Sequence, residues 1–181
     1  MPPRPLSPDQ PLDATSARLF LAVWPDAAAT AQIAAYRAQC RWPRRAVLVS
    51  ELRQHLTLHF IGAVHRARLP EIAAGLDLAA QPCQLLLDQP ALWPNAIAVL
   101  QASVLPPPLC ALHEQLADVL RRLALPVEKR RFRPHLTLAR HASGAILPIL
   151  ATPISWTIDG YALVESVLGR GGGYRNVQRY A

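Results

Sequence analysis

The chain has 181 residues, 51% of them apolar and 17% charged, with a formal net charge of +7. A domain of that length buries roughly 70% of its unfolded surface, so general disorder is excluded. Arginine supplies 18 of the 19 cations, and its planar fork of donors matches phosphate oxygens, which favours a nucleotide or nucleic-acid partner over a neutral one; genomic base bias is the plain alternative.

Residues 1–16 are proline-rich and lack the apolar core of a signal peptide, so they read as a disordered tail before a single domain spanning 17–181. The run 18–24 (RLFLAVW) predicts a strand, closed by Pro25-Asp26, and the Ala-rich stretch 27–40 predicts a helix with Asp26 as its N-cap. In 54–62 the alternation predicts a strand with His55, Thr57 and His59 on one face and Leu56, Leu58 and Phe60 on the other. Ile72, Leu76 and Ala79 stand at helical spacing, predicting a helix over 70–80.

Beyond Pro82, runs 83–87 and 97–105 predict an antiparallel pair, with a turn near Asp88-Gln89-Pro90 and a loop carrying Trp93-Pro94-Asn95. The prolines 106–108 open a helix to about Ala124, whose Leu109, Leu112, Leu116, Leu120 and Leu123 form an apolar stripe. A strand with His135 and Thr137 follows, then strands in 154–168 and 174–180 around Gly171-Gly172-Gly173. The pattern predicts an α+β fold of two pseudo-symmetric lobes, each an antiparallel sheet with outer helices, flanking a central cleft.

The most informative feature is a repeat. Residues 52–58 (LRQHLTL) return 80 positions later as 132–138 (FRPHLTL). Six histidines and six threonines in 181 residues predict about 0.2 His-x-Thr triplets by chance, and two are present with the same flanking leucines. On a strand, residues i and i+2 share a face about 7 Å apart, so each copy presents an imidazole beside a hydroxyl while the leucines point inward. If the halves meet about a pseudo-twofold axis, two imidazoles flank one phosphate and two hydroxyls donate to its non-bridging oxygens. One neutral histidine would take a proton from water and the other, protonated, would supply the leaving ribose oxygen. An imidazole can hold either state near neutral pH, so the chemistry calls for no metal and no cofactor.

These residues resemble the 2H phosphoesterase superfamily, named for paired His-x-Thr-x motifs, and within it the RNA 2′,3′-cyclic phosphodiesterases of the LigT-like 2′-5′ RNA ligase group. The resemblance rests on Arg18-Leu19-Phe20-Leu21-Ala22-Val23, on His55-Leu56-Thr57-Leu58 with Phe60-Ile61-Gly62, on the run from Phe132 to Arg140, and on Ser166-Val167-Leu168 with Gly173-Tyr174. It implies a two-lobed α+β fold with a basic groove, and opening of a terminal 2′,3′-cyclic phosphate to a 2′-phosphate without metal. It also implies weak reversal toward 2′-5′ linkage. By that resemblance His55 and His135 are the acid–base pair, Thr57 and Thr137 bind the phosphate, and Arg140 assists them. For a 2′-phosphate product the 3′ oxygen leaves, and the reading favours His55 as proton donor and His135 as acceptor, although the sequence itself is symmetric on this point. Strict alternation turns Arg140 away from the cleft, so a bulge or the strand end must re-aim it.

Other residues have plainer readings. His59 reads as a polar residue at the cleft rim that shares the face of His55; a metal held by the two is rejected, since four strand residues separate them by about 13 Å. His65, His113 and His141 read as structural or solvated. Lys129, Arg130, Arg131 and Arg133 are either a solvated loop or a phosphate track leading RNA into the cleft. Phe132 and Trp93 could stack on a base but read as core packing first, and the triple glycine lacks phosphate-loop spacing and reads as a turn. Cys40, Cys83 and Cys110 are odd in number and form no C-x-x-C pair, which fits a reducing cytoplasm. No run of about 18 apolar residues offers a membrane span.

Three functions are distinguishable: hydrolysis of 2′,3′-cyclic phosphate ends of RNA, tRNA halves or small nucleotides; non-catalytic RNA or nucleotide binding on the same fold; and 2′-5′ ligation as the working direction. The expected form is a cytoplasmic monomer with no obligate protein partner.

Overall fold

β1 (Ser16–Val23) is paired on both edges, with β3 (Leu56–His65) on one side and β9 (Tyr161–Ser166) on the other, and is buried along nearly its whole length because both of its faces are covered, Leu19, Leu21 and Val23 in the main core and Phe20 and Ala22 in a smaller cluster. β10 (Tyr174–Tyr180) completes this antiparallel sheet in the order β10-β9-β1-β3. A second four-stranded antiparallel sheet runs β2-β7-β6-β5, from β2 (Val47–Leu48), β7 (His135–Arg140), β6 (Ile97–Gln101) and β5 (Gln89–Trp93). The computed structural model of the chain describes residues 13–167 and 173–181.

The halves repeat one unit. β1 leads through α1 (Ala27–Gln39) to the motif strand β3, and β6 leads through α3 (Pro107–Arg122) to the motif strand β7. Asp26 caps α1 by accepting from the Ala29 N–H at 2.7 Å, and Pro107 sits in the first turn of α3, where no N–H is needed. The α3 stripe, Leu109, Leu112, Leu116 and Leu120, is buried in a core shared with the inward leucines of both motifs. Between these units α2 (Leu69–Gly75) is shorter than the 70–80 expected, ending at Gly75 while Leu76 still packs inward.

Three expectations are corrected. β4 (Cys83–Leu87) pairs with β8 (Ile154–Ile158) in a separate two-stranded ladder, not with the 97–105 run, whose hairpin partner is β5. Pro90 is tolerated in β5 because that strand is an edge. Residues 13–16, assigned to the tail, close onto the fold: Asp13 Oδ1 accepts from the Thr15 N–H at 3.1 Å, and the Thr15 carbonyl accepts from the Arg66 N–H at 2.8 Å. The rest of the expected tail (1–12) lies outside the described residues, as do Leu168 and two of the three glycines, Gly171 and Gly172.

The third correction concerns facing. In β3 the partner of Leu21 is His59 and that of Ala22 is Thr57, so Leu58 is an extra residue opposite one position of β1. A β-bulge of this kind reverses the alternation beyond it. His59 therefore joins the core side, 1% exposed, and Phe60 turns out beside Phe20 at 44% exposure. Among the described residues no helix is long and apolar enough to cross a membrane.

Candidate active site

β7 carries the same irregularity at the equivalent place: Val99 pairs with Thr137 and Ala98 with Ala139, leaving Leu138 as the extra residue. His135 and Thr137 share one face, Leu136 and Leu138 are in the core, and the bulge brings Arg140 back to the face of His135. Buried, half-buried and exposed positions run in the same order through residues 53–60 and 133–140. Phe60 thus occupies, in the first motif, the place that Arg140 holds in the second.

The imidazoles are held alike. His55 Nδ1 lies 2.8 Å from the Arg53 carbonyl and His135 Nδ1 lies 2.7 Å from the Arg133 carbonyl, each two residues upstream. A carbonyl oxygen only accepts, so each Nδ1 carries a hydrogen and each Nε2 is the titrating nitrogen. The Thr57 and Thr137 side chains are half-buried, and among the described residues neither hydroxyl is engaged in a hydrogen bond. β3 and β7 touch, and the charges of His135 and Arg140 both bear on His55.

Burial is the main influence on both imidazoles, lowering them below the ordinary 6.5, and the carbonyl bonds offset part of this. For His55 the positive fields of His135 and Arg140 lower it further. A lowered imidazolium is a stronger acid, which suits His55 to a donor role at the expense of its population near neutral pH.

Aromatic rings wall both histidines. His55 packs against Phe20 at 5.1 Å, Trp24 at 5.4 Å and the perpendicular ring of Tyr174 at 5.1 Å, while the Trp24 indole donates to the Leu52 carbonyl at 3.3 Å. His135 packs against Trp93 at 4.3 Å, and the Trp93 indole donates to Gln101 Oε1 at 3.2 Å. Trp93 is therefore a wall of the site, correcting its reading as core. Phe20 and Tyr174 stand in runs that carry the resemblance, but the sequence does not set them or Trp24 beside an imidazole; the period-two spacing of Phe20, Ala22 and Trp24 is the available signal, masked because the other face of β1 is apolar too.

His59 does not reach the cleft rim. Its Nε2 donates to the His113 carbonyl at 2.8 Å, and its ring stacks on His113 at 4.1 Å, which in turn stacks on Phe132 at 4.0 Å. Burial pushes His113 down to about 4 and lowers His59 as well. Phe132 is thus a packing residue, as expected, and the stack ties α3 to both motif segments. His65 instead accepts from the Ala67 N–H at 3.3 Å at the end of β3.

No protein-family model matches the sequence, and no curated protein matches it. Solved structures do. The crystal structure of a phosphoesterase superposes with a TM-score of 0.82 at 28% identity, covering 91% of this chain and 97% of that one. E. coli LigT complexed with 3′-AMP gives a TM-score of 0.82 at 27% identity, covering 92% of this chain and 98% of LigT. A protein of Thermus thermophilus gives 0.72 at 26% identity over 90% of this chain and 96% of that one. LigT also forms crystals with phosphate, ATP and NADP+. With that α+β architecture matched over nine tenths or more of its length, the chain has the fold of these solved 2H phosphoesterases and is similar to them in sequence.

Proposed function

We propose that the chain hydrolyses RNA 2′,3′-cyclic phosphate ends to 2′-phosphates by acid–base catalysis between two histidines. Water attacks phosphorus and gives a proton to His135 Nε2; the bond from phosphorus to the 3′ oxygen breaks as His55 Nε2 supplies that oxygen with a proton. Solvent exchange then returns the pair to its starting protonation. The hydroxyls of Thr57 and Thr137 and the guanidinium of Arg140 hold the non-bridging oxygens, where charge accumulates.

The observation that carries this reading is the matched pair of Nδ1-to-carbonyl bonds, because binding a phosphate requires no titrating nitrogen on either side of it. LigT's complexes with 3′-AMP and ATP support a nucleotide as the ligand class. The test is turnover of an oligonucleotide ending in a 2′,3′-cyclic phosphate, with EDTA present, followed by mapping of the product phosphate. Turnover that survives His55→Ala or His135→Ala undiminished, or a 3′-phosphate product, overturns it.

A further inference from the structure

A cavity of about 370 Å3 opens beside His135, with Gln89, Gln101, Ser103, Arg131, Phe132 and Arg133 in its wall. Arg133 and Pro134, also in the wall, lead directly into the second motif, and Gln101 is the cross-strand partner of His135. The cavity thus adjoins the second motif, its wall ending one residue short of His135. Clefts that take small molecules begin at about 300 Å3, so it has room for a single nucleotide unit.

Its chemistry is that of an unpaired nucleotide. Gln101 accepts from the Trp93 indole and donates through Nε2 to Gln89 Oε1 at 3.4 Å, which leaves the Gln89 amide donors facing outward on an exposed side chain. Phe132 has one ring face on His113 and lends apolar surface to the cavity floor. Arg130 is ion-paired to Glu128 at 2.8 Å, but among the described residues no carboxylate engages Arg131 or Arg133. The cavity of about 310 Å3 on the α3 side contrasts with it: Glu114, Asp118 and Glu128 outnumber Arg121 there, so it repels a polyanion.

We propose that the cavity beside His135 is a subsite for the terminal base and for the phosphodiester on its 5′ side, which makes the substrate a single-stranded oligonucleotide end, not a free cyclic mononucleotide. The proposal rests on the hydrolase reading above. The Gln89 amide donors, held in place by Gln101, meet the base edge, and Arg131 and Arg133 clamp the preceding phosphate as charge-assisted donors.

The experiment compares kcat/KM for a nucleoside 2′,3′-cyclic phosphate with that for a dinucleotide bearing the same end. The dinucleotide should be preferred roughly 10- to 100-fold, the range that charge-assisted hydrogen bonds to one phosphate supply. In the Arg131→Ala/Arg133→Ala double variant, whose side chains are exposed and carry no core contact, the ratio should fall toward one; Arg122→Ala, a charge control on α3, should keep it. Fluorescence anisotropy with a labelled trinucleotide ending in a 3′-phosphate should show a comparable weakening in the double variant. Equal efficiency on both wild-type substrates, a ratio that persists in the double variant, or unchanged anisotropy overturns the subsite. If neither substrate turns over, the hydrolase reading fails and the anisotropy alone decides the subsite.

Discussion

Replacing His55 with alanine deletes the proposed proton donor while leaving the sheet's support in place, since Leu56 beside it carries the core contact and the ring lies among Phe20, Trp24 and Tyr174. A ribose 3′ alkoxide is a poor leaving group, and a positioned general acid contributes about 10²- to 10⁴-fold, or about 3 to 5 kcal/mol of barrier. The variant should lose that factor on a natural cyclic phosphate end. A nucleoside 4-nitrophenyl phosphodiester behaves differently, because nitrophenolate departs without a proton. On it the His55→Ala deficit should shrink to within about ten-fold, whereas His135→Ala, lacking the proposed base, should stay impaired by about 10²-fold or more. The assay pairs continuous absorbance of nitrophenolate with chromatography of the oligonucleotide product. A His55→Ala deficit equal on both substrates refutes the donor role. Rescue of His135→Ala instead assigns the roles in reverse, against the acidifying fields of His135 and Arg140 on His55.

Burial holds both imidazoles below 6.5, so both limbs of the kcat/KM profile belong on the acid side of that value: the base must be neutral, the acid protonated, and the rate declines as pH rises beyond. Arg140→Gln removes one of the charges that lower His55 and should move the limb that His55 governs upward; a wild-type optimum above about 7.5 contradicts the assignment. Thr137→Val keeps the strand's shape and deletes one hydroxyl, with an expected loss in kcat/KM of roughly 10- to 100-fold and an unchanged melting temperature. His113, half-buried and pushed down to about 4, is neutral in the fold, so its share of stability is complete above 6.5 and is lost as pH falls toward 4. After discounting for its exposure the share is about 1 to 2 kcal/mol. In His113→Phe, which keeps the stack on Phe132, urea denaturation at pH 7 and pH 4 should differ by that much less than in the parent.

The elements that hold the site were legible where the signal is local. Asp26 before an Ala-rich run, the leucine stripe of α3 and the His-x-Thr alternation each state a conformation within a few residues, and each is found. The partner of β4 was not legible, since any apolar run can pair with any other and only the closed core selects β8. His59 and Trp93 were misread for related reasons. Alternation carried unbroken through Leu58 puts His59 on the cleft face, and a bulge is visible only in the register with the partner strand β1. Trp93 read as packing because a lone aromatic in a loop does not reveal which face of β5 it will cover.

The two bulges also explain why the motif has the length it has. Without the extra residue at Leu138, Arg140 would follow the parity of Leu136 into the core, where an unpaired guanidinium is costly. With it, the strand presents imidazole, hydroxyl and guanidinium on one face while Leu136, Leu138 and Ala139 stay covered. The equivalent bulge at Leu58 delivers Phe60 instead, so duplication supplied two imidazoles and two hydroxyls but a cation from one half only. That asymmetry separates the histidines: Arg140's field reaches His55, and the half with the guanidinium faces the imidazole that it acidifies. A Phe60→Arg substitution, which restores the symmetry with an exposed side chain, should therefore lower the pH limb that His135 governs. A profile unchanged by that added charge would show that the fields of these side chains do not set the division of labour.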